Sequence, residues 1–166
     1  MSHPALGLPP ADATAGRPDV AARLRQAVRL PATALEAAYR IDSTLPQRHD
    51  QLMQRRFLRD YEQYIEQLAR AVETGEDRFV AVWGESIVPI YRRRNVRMND
   101  VVSLVRGLEE AAIAIGPAAD ADVIREPVAA LVERLRHHRR LPGDHEGNAA
   151  VRFIWKGAGL GDDTVV

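Results

Sequence analysis

Cysteine is missing from all 166 residues. That excludes disulfides, thiolate metal sites and cysteine nucleophiles. Lysine is nearly missing: 22 of the 23 basic residues are arginine, and Lys156 is the exception. Aromatic residues make up 5% of the chain, and no apolar run reaches the 18 residues that a membrane-spanning helix needs. Net charge is zero, because 23 acidic residues balance the 23 basic ones, and this argues against a general polyanion binder. The N-terminus lacks a charged-then-apolar signal pattern, so the expectation is a soluble cytoplasmic protein without a membrane partner.

Helical periodicity is abundant. Residues 1–17, with Pro4, Pro9, Pro10, Gly7 and Gly16, have little to bury and read as a flexible N-terminal tail. A helix opens near Pro18 and carries Val20, Leu24 and Val28 at steps of four. Pro31 interrupts, and a short helix with Leu35, Ala38 and Tyr39 follows. Ser43-Thr44-Leu45-Pro46 reads as a break, since a residue before proline disfavours helix. From Gln47 to Glu73 one long helix is expected, with Leu52, Phe57, Tyr61, Tyr64, Ile65, Leu68 and Val72 on one stripe. Leu58 and Met53 widen that stripe, which suits self-association as a two-fold dimer.

Gly75 sits where a helix end wants a left-handed residue. The next helix, about Glu76 to Arg93, contains Pro89, which predicts a kink or an early end. Asn99 and Asp100 offer caps for a helix bearing Val101, Leu104, Val105, Leu108 and Ala112, stopped by Gly116-Pro117. A last helix runs from Asp120 or Pro127 to Arg140. No segment alternates convincingly with period two. The prediction is an all-α domain of five to six helices over residues 18–141, followed by an extended C-terminal tail over 142–166.

Part of this pattern resembles a known family. The residues are Leu68-Ala69-Arg70-Ala71-Val72-Glu73-Thr74-Gly75-Glu76-Asp77, then Phe79 and Trp83. After them come Arg93-Arg94-Asn95-Val96-Arg97-Met98-Asn99-Asp100-Val101-Val102 and Leu104-Val105-Arg106-Gly107-Leu108. This run resembles the globin-like N-terminal sensor domain of RsbR-type stressosome proteins and related bacterial regulators. The likeness covers Leu52 to Ile115 and extends less fully to Leu141. It implies a globin-like, homodimeric domain that binds no haem and relays signals through protein contacts. Such domains usually precede an output domain. None lies in these 166 residues, so the resemblance implies a separate protein partner or output protein.

Candidate chemistry is sparse. Haem would need an axial His, Cys, Met or Tyr inside a pocket. His3, His49, His137, His138 and His145 all fall outside Gln51 to Arg136 and read as surface histidines, while Met53 and Tyr64 read as core. His137 and His138 are adjacent and point about 100° apart on a helix, which is poor for sharing an ion. Ser86 and Ser103 lack a nucleophile-elbow context. Glu109-Glu110 and Asp162-Asp163 read as solvated pairs. Only five residues follow the Gly157-Ala158-Gly159-Leu160-Gly161 run, too few for the helix that a phosphate loop opens, so a phosphate loop is not expected. The expectation is therefore a non-enzymatic module without catalytic, metal or cofactor residues. A haem or small-ligand globin-like binder is the first alternative and an arginine-driven nucleic-acid binder the second.

Two features point to partners. Arg92, Arg93, Arg94 and Arg97 form a basic cluster, read first as helix-end cations paired with acids and second as a docking patch. In the tail, Phe153, Trp155, Val165 and Val166 either pack on their own domain or anchor a docking peptide. Charge is also segregated. Residues 60–85 hold seven acids and two arginines, while residues 86–107 hold five arginines and one acid. Opposed blocks of this kind suit self-complementary or partner docking.

Overall fold

The computed structural model describes residues 16–139. Among them are seven α-helices, one 3-10 turn and no strand, so the described part of the chain is all-α. The helices are α1 (Pro18–Gln26), α2 (Leu30–Ile41), α3 (Leu45–Arg48), α4 (Gln51–Thr74), α5 (Arg78–Arg93), α6 (Met98–Ala114) and α7 (Ala121–Arg139). The 3-10 turn Ala118–Asp120 leads into α7. Both predicted tails lie almost wholly outside the described residues.

Helix α4 is the spine. Its predicted stripe is buried at Phe57, Tyr61, Tyr64, Ile65, Leu68 and Val72, and it packs against α1, α2, α5 and α7. Leu52 departs from the stripe and is 55% exposed. The helix starts later than expected. Asp50 caps it by accepting from the Met53 amide at 2.7 Å, and the preceding Leu45–Arg48 forms its own turn. Gly75 ends α4 at φ 69°, the left-handed residue the sequence called for.

Prolines account for most of the boundary differences. The chain does break between α1 and α2 and between α2 and α3, as expected, but Pro31 and Pro46 each sit in the first turn of the following helix, where the missing amide would be unpaired anyway. Pro89 lies inside α5, yet the helix continues to Arg93. Pro89 and Glu85 are both exposed, so water can satisfy the Glu85 carbonyl that lacks its amide partner. Pro127 likewise lies inside α7, which starts at Ala121. Val28 is 91% exposed, not core, because α1 stops at Gln26 before that position comes round to the interior.

Helices α2 and α6 approach each other closely. Ala34, Ala37 and Ala38 are fully buried, and a Cβ on Gly107 would lie 2.4 Å from the Ala34 carbonyl oxygen and 2.6 Å from the Ala38 nitrogen. Only glycine on α6 lets the backbones come this near. The Tyr61 hydroxyl closes the junction. It donates to the Leu104 carbonyl at 2.9 Å, with the Ala34 carbonyl at 3.3 Å sharing that proton. Gly84 lies where α5 meets α7, and a Cβ there would meet only the end of the Leu131 side chain, Cδ1 at 2.8 Å, which can turn aside.

Candidate functional site

Three arrangements bring charged or aromatic groups together. The first is a groove between α4 and α5, about 380 Å³ in volume and lined by Gln67, Arg78, Phe79, Val82, Trp83 and Ser86. The amphipathic pattern of α5 creates it. Val80, Ile87, Val88 and Tyr91 turn into the core, which leaves Phe79 and Trp83 half-buried at the edge and Val82 71% exposed. The Arg78 guanidinium lies 5.3 Å from the Phe79 ring centre. Ser86 donates to the Trp83 carbonyl at 2.7 Å, the ordinary use of a helical serine.

Beneath this groove runs a polar chain. The Trp83 ring meets Tyr64 edge-on, with centres 4.3 Å apart. The Tyr64 hydroxyl donates to that of Tyr91 at 3.0 Å, and Tyr91 donates to Asp60 Oδ2 at 3.0 Å. Arg94 donates to the same oxygen at 2.7 Å. Burial pushes both tyrosine hydroxyls well above their ordinary pKa, so both remain proton donors at neutral pH.

The second arrangement is at the start of α6. Asp100 does not cap that helix. It is 2% exposed and turned inward, accepting from Arg48 Nη2 at 2.8 Å, with His49 Nε2 at 2.8 Å from its other oxygen. Arg48 also donates to Asp42 at 2.6 Å and to the Thr44 hydroxyl. His49 is therefore not a surface histidine: its side chain is 9% exposed and its ring stands edge-on to Phe57 at 5.1 Å. Burial pushes the Asp100 carboxyl up, but the His49 and Arg48 hydrogen bonds outweigh burial and hold it below its ordinary value. His138 is also more enclosed than expected, at 17% exposure, with Nε2 2.6 Å from Glu85.

The third arrangement is a charged stripe on the outer side of α4. Arg55, Arg59 and Glu62 are exposed and Glu66 is half-buried. Steps of four, three and four residues place all four within a narrow sector of the helix. Bases occupy the first half of the stripe and acids the second. Arg25 of α1 takes Glu66 at 3.0 Å and Glu73 at 2.8 Å, and Arg70 takes Glu66 at 3.0 Å. Part of the acidic block thus has its counter-charge within the chain.

The predicted basic cluster is divided. Arg94 turns to Asp60, and Arg92 donates to the His138 carbonyl at 3.1 Å, tying the end of α5 to α7. Arg93 and Arg97 are exposed. Phe153, Trp155, Val165 and Val166 lie outside the described residues. Among the described residues, no group of three or more His, Asp or Glu side chains converges as metal ligands would, and no helix is long and apolar enough to cross a membrane.

Sequence reasoning missed the Tyr64–Tyr91–Asp60 chain, the inward Asp100 and the register of the α4 stripe. The stripe alone had a readable signal, namely charges at helical spacing that change sign near residue 60. The class that fold and surfaces define is an all-α domain with its buried charges tied to its own helices. Comparison with known protein families, curated proteins and solved structures gives no match.

Proposed function

We propose that this chain is a non-enzymatic regulatory or adaptor module that works in the cytoplasm as a homodimer. The observation that carries this reading is the α4 stripe. Lay two copies of α4 antiparallel, with a two-fold axis between residues 60 and 61. Arg59 then stands opposite Glu62 of the second copy, and Arg55 opposite Glu66 of the second copy, which it would share with Arg25 and Arg70. Such a surface is self-complementary, as a two-fold interface requires. The charges set register and orientation, while affinity comes mainly from apolar area. Exposed Leu52 and half-buried Leu58, which flank the stripe on the same helix, supply apolar contact.

The likeness to globin-like stressosome sensor domains supports the same reading, because those domains relay signals as dimers. In this account the chain is globin-like and binds an output protein. Its buried Asp100 and Asp120 and its half-buried Asp60 are scaffold groups: Asp120 holds Arg17 at 2.9 Å and Arg23, just as Asp60 and Asp100 hold their partners. Light scattering on the chromatographed chain at tens of micromolar tests the dimer. The expected mass is twice 18.5 kDa. A mass of 18.5 kDa at that concentration overturns the reading.

A further inference from the structure

We propose that the α4–α5 groove is the docking site for this chain's own segment Arg152-Phe153-Ile154-Trp155-Lys156, bound in cis. The proposal is independent of the dimer. Three observations carry it.

The groove is small and aromatic. At about 380 Å³, lined by Phe79, Val82 and Trp83, it lies at the low end of the size range for pockets. It suits one or two large side chains rather than a folded partner. The segment offers two aromatic rings, Phe153 and Trp155, and rings of this kind are the usual anchors in such sites.

The chain arrives at the right place. Helix α7 lies along α5: Leu131 faces Gly84, Arg134 and His138 reach Glu85 at 3.3 and 2.6 Å, and the His138 carbonyl accepts from Arg92. The last described turn of α7 thus lies beside the second half of α5, and Glu85 is about one turn from Val82.

Reach is ample. Thirteen residues, 140–152, separate the end of the described chain from Phe153. Extended, they span about 43 Å, against a helix about 10–12 Å across. A tether of this length gives a local concentration on the order of millimolar. At micromolar protein the cis segment therefore outcompetes the same segment of a second copy.

The lack of cysteine makes a direct test available. Ala158→Cys in the full chain gives a single site for a nitroxide label three residues beyond Trp155. In ¹⁵N-labelled protein carrying the nitroxide, the amides of Gln67, Val82 and Ser86 are expected to broaden strongly and that of Val28 weakly. In a mixture of nitroxide-labelled unenriched chains with unlabelled ¹⁵N chains, those amides stay sharp. Phe153→Ala/Trp155→Ala in the labelled chain restores sharp lines in cis. Unbroadened groove amides in the cis sample, or broadening of equal size in the mixture, overturns the proposal.

A second readout uses Trp83→Phe, which keeps an aromatic ring in the groove and leaves Trp155 as the one indole. Its emission is expected to be blue-shifted and to move to the red with Val82→Asp. Emission typical of exposed indole in both proteins overturns the proposal.

Discussion

Nε2 of His49 lies 2.8 Å from Oδ2 of Asp100, across 51 residues of sequence. With Arg48 on the other carboxylate oxygen, this contact fastens the α3–α4 junction to the first turn of α6. One carboxylate serves two donors in a nearly water-free position, and its removal has a large expected effect. Asp100→Ala leaves Arg48 and His49 without their shared acceptor. A loss of about 3 kcal/mol is expected, in the range for breaking a buried ionic pair. Asp100→Asn keeps shape and some hydrogen bonding and costs less. Urea unfolding followed by circular dichroism measures both.

The same cluster sets an acid limit. Asp42 is held down to about 2, first by the Arg48 hydrogen bond and then by Thr44, and Asp100 is held below its ordinary value. A carboxyl with a depressed folded pKa stabilises the fold above its unfolded value, near 3.9, and loses that contribution as pH falls through the folded value. Stability is therefore expected to fall between about pH 4 and pH 2 and to be flat in this respect from pH 5 upward. In Asp42→Asn/Asp100→Asn the slope of unfolding free energy against pH in this window is shallower. An unchanged slope would show that other carboxyls set the acid limit.

Gly107 permits the α2–α6 contact, so Gly107→Ala is expected to destabilise despite the better helix propensity of alanine. Its added Cβ meets backbone atoms of Ala34 and Ala38, which cannot swing aside as a flexible side chain would. A cost of about 2 kcal/mol, typical of overpacking, appears as a lower melting temperature. An unchanged or raised melting temperature would mean that the two helices separate easily.

The tyrosine chain predicts non-additivity. Tyr91→Phe removes the acceptor of the Tyr64 hydroxyl as well as a donor to Asp60, so it costs about 1–3 kcal/mol by leaving a buried donor unpaired. Tyr64→Phe removes only the end of the chain and costs less. The double variant loses less than the sum of the singles, because Tyr64→Phe removes the group that Tyr91→Phe orphans. Additive losses in a denaturant series would argue against the bonded chain.

Much of the helical order was legible, because apolar spacing reports which face of a helix is buried. The stripe of α4 and the left-handed Gly75 came from local pattern alone. Helix starts were less legible. Proline breaks a helix interior but suits a first turn, and spacing does not separate these uses at Pro31 and Pro46. Asp100 reads as a cap because it stands at a helix start. Its role depends on Arg48 and His49, which only the tertiary fold brings to it. The groove was illegible for the same reason: Gln67 and Val82 come from different helices. Of the residues singled out in the sequence, Arg92 and Arg94 are placed against His138 and Asp60, while Phe153, Trp155, Val165 and Val166 lie outside the described residues.

The dimer through α4 is the central claim, and a charge swap tests it most directly. Sedimentation velocity at micromolar concentration is run on the unaltered chain, on Arg59→Glu, and on Arg59→Glu/Glu62→Arg. The account predicts a dimer for the unaltered chain. It predicts a monomer for the single variant, as the carboxylate introduced at position 59 faces Glu62 of the second copy. It predicts a dimer again for the double variant, as the pair is restored in reverse. Three species of the same mass, whether all monomer or all dimer, would contradict it.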